Sequence, residues 1–206
     1  MEQACILAVD QGTSSTKAVI FNARGQVMAS GSVPLKTFYL EGGLVEQGPE
    51  AIYQNVLDAA AKCLQNFIAA GHNPGRVKTV GISNQRETFV VWDKSGRPLH
   101  NAVVWQCKRS VEVCRQLKAR EGLENEIIQK TGLIIEPYFS GTKLIWLYNN
   151  SKNVRGAIDA GECFFGTVDT RLLYKLTGGQ QYLTDYTNAS RTLFFNLHTL
   201  SWDTAL

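Results

Sequence analysis

Three short apolar segments open the chain, at residues 4–9, 17–22 and 26–33, and each reads as a β-strand. Asn22-Ala23-Arg24-Gly25 supplies a hairpin turn between the second and third. Short consecutive connections of this kind make an antiparallel meander. Residues 34–48 are rich in glycine and read as a surface loop, within which Leu44-Val45-Glu46-Gln47 pairs briefly as an edge strand. The period then changes. Ile52, Val56, Ala60, Cys63, Leu64 and Phe67 recur at intervals of three and four, which predicts a helix over 49–70 with one apolar stripe. Pro49 suits its first position, Glu50 suits the positive end of its dipole, and Gly71 ends it. Val77 to Ser83 reads as a buried strand. A helix separates it from the meander, so it joins the sheet in parallel through a crossover.

The second half is more broken. Phe89–Trp92 and Ala102–Val104 read as a further strand pair, linked through Lys94-Ser95-Gly96-Arg97-Pro98. Residues 107–120, 123–130 and 151–161 read as helices, as does a segment through Tyr148 that Ser140 or Thr142 would cap. Phe164 to Val168 is a short apolar run, and 169–177 a helix ending at Gly178-Gly179. Asp169 is expected to cap that helix. Residues 184–191 are polar, and 192–195 read as a last strand. The fold class is α/β: a mixed sheet of three antiparallel strands followed by parallel ones, flanked by helices. Ligands in such sheets bind outside the strand ends.

The 206 residues, 44% of them hydrophobic, suffice for one large domain or two small ones. A net charge of +3 without a basic run gives no reason to expect a nucleic-acid partner. The five cysteines are odd in number and show no CxxC spacing, which argues against a disulfide framework or a zinc site and for reduced thiols in the cytoplasm. No signal peptide and no membrane-spanning apolar run is expected. His72, His100 and His198 have no partner at metal spacing and read as structural or surface residues.

Chemistry concentrates in three places. Asp10-Gln11-Gly12-Thr13-Ser14-Ser15-Thr16-Lys17 sits between two strands and combines a carboxylate, a glycine, four hydroxyls and a cation. Such a turn aims N–H groups and hydroxyls at one spot, which suits phosphate, and Asp10 would hold a hydrated Mg²⁺ beside it. The same residues would also serve as a plain polar hairpin. Arg86 and Glu87 follow the Val77–Ser83 strand. A guanidinium offers only donors and an ionised carboxylate only acceptors, so together they can grip vicinal hydroxyls, although a local salt bridge would use them equally well. Trp105 and Tyr138 are aromatic faces of the kind that cover a polyol's C–H groups, and either can instead be core.

Asp10–Ser15 together with Gly81-Ile82-Ser83-Asn84-Gln85-Arg86-Glu87-Thr88 resembles the FGGY carbohydrate kinases. The blocks 104–109, 137–143, 166–170 and 184–192 follow in the family's order and resemble its glycerol-phosphorylating members. The resemblance implies a ribonuclease H-like, actin/hexokinase-type ATPase fold and ATP-dependent phosphorylation of glycerol to sn-glycerol 3-phosphate. It implies that Thr13, Ser14, Ser15 and Lys17 contact the nucleotide phosphates, with Asp10 near Mg²⁺, and that Arg86, Glu87, Trp105 and Tyr138 contact glycerol. Residues 1–206 are then expected to be the N-terminal domain of a longer enzyme, a homo-oligomer when complete, whose general-base Asp and adenine-binding domain follow residue 206. Two positions depart from the family pattern: Arg171 stands where Trp is usual, and Lys17 where Arg is frequent. A kinase of another small polyol or ketose (xylulose, ribulose, erythritol) is the rival within the class. An actin-like, nucleotide-dependent protein-binding module is the rival outside it.

Overall fold

The structure is a computed structural model and describes residues 4–206. These form two compact units. The first comprises the described residues up to Thr37 together with Gly48–Gln85, and the second comprises Phe38–Gln47 with Arg86–Leu206.

The first unit is one sheet and one long helix. β1 (Cys5–Gln11), β2 (Ser15–Asn22) and β3 (Val27–Pro34) form the expected antiparallel meander. The next strand of this sheet, β6 (Val77–Asn84), pairs in parallel with β1 after a crossover through α1 (Pro49–Ala69). The strand order is β3-β2-β1-β6. Helix α1 buries Ile52, Val56, Ala59, Cys63 and Phe67, the stripe read from the sequence shifted by one residue at Ala59. Gly31 lets β3 lie close under it: a Cβ there would stand 2.6 Å from the Cys63 backbone nitrogen and 2.8 Å from the Ala59 carbonyl. One expectation fails. β6 is not buried, and Val80 and Ile82 are 55% and 37% exposed. Its apolar composition marks a strand but does not reveal that it lies at the edge of the sheet, with α1 packed mainly on β2 and β3.

The second unit holds a separate antiparallel sheet. Its strands are β4 (Phe38–Leu40), β5 (Leu44–Gln47), β7 (Phe89–Asp93), β8 (Ala102–Val103) and β9 (Cys163–Thr167), in the order β4-β5-β8-β7-β9. The segment read as a loop therefore contains a hairpin. Residues Leu44–Gln47 lie inside the sheet and not at its edge, because Phe38–Leu40 pairs outside them. Val45, Phe89, Val91, Val103, Val104 and Leu147 form the core against this sheet. Helices α2 (Val111–Lys118), α3 (Leu123–Thr131), α4 (Ser140–Asn150), α5 (Lys152–Asp159), α6 (Val168–Leu176) and α7 (Tyr186–Ala189) follow. β10 (Phe195–Asn196) and β11 (Ser201–Trp202) make a short terminal hairpin.

Two capping expectations are corrected. Neither Ser140 nor Thr142 caps α4, whose preceding residue is Phe139. The Ser140 hydroxyl donates to the Glu87 carbonyl, and that of Thr142 to the carbonyls of Glu136 and Phe139. Asp169 lies within the first turn of α6. Its carboxylate accepts from the hydroxyls of Thr167 and Thr184, at 2.5 and 2.6 Å. Burial pushes that carboxyl above its ordinary pKa despite these bonds.

Candidate functional site

The turn between β1 and β2 is held from within the first unit. The Gly12 N–H donates to the Ser15 carbonyl (3.0 Å) and the Leu35 N–H to the Ser14 carbonyl (2.9 Å). Gln11 is fully buried; its side chain donates to the Gly12 carbonyl and accepts from Gln85. The backbone is thereby fixed while the candidate side chains stay accessible: Asp10, Ser14 and Lys17 are exposed, Thr13 and Ser15 partly so. Asp10 and Lys17 are direct partners across the strand pair and so share one face of the sheet. Among the described residues no cluster of three His, Cys, Asp or Glu could cage a metal. A lone exposed carboxylate among hydroxyls fits Mg²⁺, which keeps several waters and relies on phosphate oxygens as well.

In the second unit Glu87 is the centre. It is 2% exposed and has a φ of 62°, a left-handed conformation that a non-glycine residue adopts only where its surroundings fix it. Its carbonyl accepts from Ser140, and its carboxylate accepts from Arg191 Nε at 2.5 Å. The local Arg86–Glu87 pair that adjacency suggests gives way to this long-range one, while Arg86 itself is exposed. The Arg191 guanidinium also lies over the rings of Phe139 and Tyr138, at 4.9 and 5.9 Å from their centroids.

The aromatic walls are held by equally specific contacts. The rings of Trp105 and Tyr138 are 5.5 Å apart at 59°. The Trp105 backbone N–H donates to the hydroxyl of Thr88, the residue after Glu87. The segment carrying Trp105 is pinned to β5. Arg109 donates to Glu46 at 2.6 Å and to the Cys107 sulfur, with its guanidinium over Trp146. Burial raises the Glu46 carboxyl, but Arg109 and Asn101 outweigh it, and the group stays below its ordinary pKa. The backbone at Tyr138 is fixed by Lys143, a fully buried lysine whose Nζ donates to the carbonyls of Tyr138 and Phe139. Desolvation pushes the Lys143 ammonium down to about 7.

A cavity of about 650 Å³ opens beside Trp105 and Tyr138, with Cys107, Lys108 and Glu136 among its lining. A second, of about 570 Å³, lies among Phe89, Phe165, Phe194 and Trp202. Arg86 and Glu87 line neither. Arg171, the departure from the family pattern, is buried over Trp92 and donates to the Gly96 carbonyl. It braces the turn after β7. Arg191, Ser140 and Lys143 are the residues that sequence reasoning missed. Each lies in a segment it had marked, but none has a local pattern that reveals its partner.

Residues 5–206 match the FGGY family of carbohydrate kinases, N-terminal domain. A glycerol kinase of Halothermothrix orenii is 44% identical over 207 residues, which cover 100% of this chain and 41% of the relative. Among solved structures, Plasmodium falciparum glycerol kinase with ADP superposes with a TM-score of 0.87 at 33% identity, over 98% of this chain and 40% of that one. Gluconate kinase from Lactobacillus acidophilus does so with a TM-score of 0.86 at 25% identity, over 99% and 39%. The chain thus spans about two fifths of the length of these proteins.

Proposed function

The chain belongs to the FGGY family of carbohydrate kinases, and from that premise we propose that it supplies the phosphate turn and the polyol grip of an ATP-dependent glycerol phosphotransferase. One observation carries the reading. Glu87, Trp105 and Tyr138, scattered over 50 residues of sequence, are bound into a single network of buried charge and aromatic faces. A three-carbon polyol needs that combination: acceptors and donors for its hydroxyls, and an apolar wall for its carbons. The relatives' identity as glycerol kinases points to the same substrate.

In this reading Arg86 and Glu87 fix two glycerol hydroxyls, the carboxylate accepting and the guanidinium donating. Trp105 and Tyr138 cover the carbon chain. Thr13, Ser14, Ser15 and Lys17 offer hydroxyl, N–H and ammonium donors to nucleotide phosphates. Asp10 holds Mg²⁺ through water, and that ion would balance charge on the phosphates when bound. Catalysis of phosphoryl transfer rests mostly on positioning and charge stabilisation, which are the tasks these residues are suited to.

The test is a coupled ADP-release assay on the natural gene product with glycerol, D-xylulose, gluconate and erythritol side by side. Glycerol is expected to exceed the others in kcat/KM by orders of magnitude. A larger value for any of the other three overturns the substrate assignment.

A further inference from the structure

We infer that Arg191 is the positioning residue of the polyol grip, and that it acts on glycerol only through Glu87 and the Tyr138 wall. The inference rests on the glycerol reading above and extends it to a residue to which that reading gives no role.

The argument begins with what Glu87 must do. To accept from a substrate hydroxyl, a buried carboxylate must be charged and held in one orientation. Burial opposes the charge unless a cation compensates it. Arg191 is that cation, with Nε on Oε1 at 2.5 Å. Oε1 is thereby occupied, and Oε2 is left as the acceptor for a polyol. The strained φ of 62° at Glu87 and the Ser140 bond to its carbonyl fix the backbone from which the carboxylate is presented. The same guanidinium stands over Tyr138 and Phe139, so one planar group orients the carboxylate and the aromatic wall together. A lysine has the charge but not the plane.

Arg191 is itself firmly placed. Its backbone N–H donates to the Asn188 carbonyl in α7. That helix is capped by Asp185, which accepts from the Asn188 N–H at 2.8 Å. The chain just beyond Arg191 lies against the start of α4. A Cβ at Gly141 would stand 2.8 Å from the Thr192 carbonyl oxygen, so only glycine permits this approach. The helix that carries Ser140 and Lys143 and the segment that carries Arg191 are therefore locked in register with Glu87.

A double-mutant cycle on the natural gene product tests this, with Glu87→Gln, Arg191→Met and the double variant compared for glycerol KM, ATP KM and kcat. Arg191→Met is expected to raise glycerol KM about tenfold or more, since a charge-assisted contact is lost, with ATP KM and kcat within about threefold of wild type. In the double variant the effect should fall well short of the product of the two single effects, the Glu87 part being shared and only the Tyr138 part added. Arg191→Lys, which keeps the charge and protects against misfolding, should restore part of the affinity. Multiplicative effects in the double variant, an unchanged glycerol KM in Arg191→Met, or an equal rise in ATP KM would each overturn the inference. If Glu87→Gln itself leaves glycerol KM unchanged, the glycerol reading fails first and this inference with it. A loss confined to Glu87→Gln removes Arg191 alone.

Discussion

Eight consecutive residues make the turn Asp10–Lys17, whereas the proposed polyol grip draws on side chains as far apart as Glu87 and Arg191, 104 positions along the chain. The turn is fixed by its own backbone bonds and by Gln11, and it leaves its side chains at the surface. The grip includes groups that depend on one another: a buried carboxylate paired with a guanidinium, and a Tyr138–Phe139 backbone whose carbonyls accept from a buried amine. In the first region shape and ligand contact are separable. In the second, the groups that would bind the ligand also hold the structure together.

That contrast can be broken most forcefully from below. Gly31→Ala should destabilise the first unit by ~1–3 kcal/mol, because its methyl group meets helix backbone that cannot yield locally. Urea titration would show it. Glycerol KM should stay at the wild-type value, and a KM that moves with stability would mean that the two regions are not separable.

A somewhat smaller effect is expected from pH. An unfolded lysine titrates near 10.4, whereas Lys143 titrates at about 7 in the folded chain. Between those values the unfolded state binds more protons, so stability rises as pH rises. From pH 7 to 8.5 the gain should be ~1–2 kcal/mol. At higher pH the trend reverses, because burial raises the thiols of Cys63, Cys114 and Cys163 and their protonated forms favour the folded state. Lys143→Met should remove the rise between pH 7 and 8.5 in chemical denaturation. A rise that survives the substitution would assign it to another group.

The smallest effect sharpens the other side. Ser14→Ala should raise ATP KM by roughly two- to fivefold, the worth of one neutral hydrogen bond. Its melting temperature should not change, since the fold uses the Ser14 carbonyl and not its hydroxyl. A melting temperature lowered by several degrees would show that the turn's side chains are structural after all.

The same contrast explains what could be read from the sequence. The meander, the α1 stripe and the parallel entry of β6 follow from local period and connection length, and the phosphate turn is contiguous. The burial of β6 was misjudged because apolar composition does not say which side of a sheet is covered. Residues 34–48 hid a hairpin, because Phe38–Leu40 is too short to show alternation. Arg86, Glu87, Trp105 and Tyr138 stood out by residue type and by family resemblance. Arg191 did not, since nothing near residue 191 indicates that its partner is Glu87. Lys143 reads as an ordinary helix residue, although it is wholly buried and its Nζ donates to the Tyr138 and Phe139 carbonyls. Long-range pairing, more than residue chemistry, was what the sequence withheld.

Whether Arg86, Glu87, Trp105 and Tyr138 hold glycerol, as proposed, is decided by a crystal structure of the natural gene product grown with glycerol. Glycerol hydroxyls are expected within about 3.2 Å of the Glu87 carboxylate and the Arg86 guanidinium, with the carbon chain against Trp105 and Tyr138. Glycerol bound reproducibly elsewhere, for instance among Phe89, Phe165 and Trp202, with the Glu87 region untouched, would contradict it.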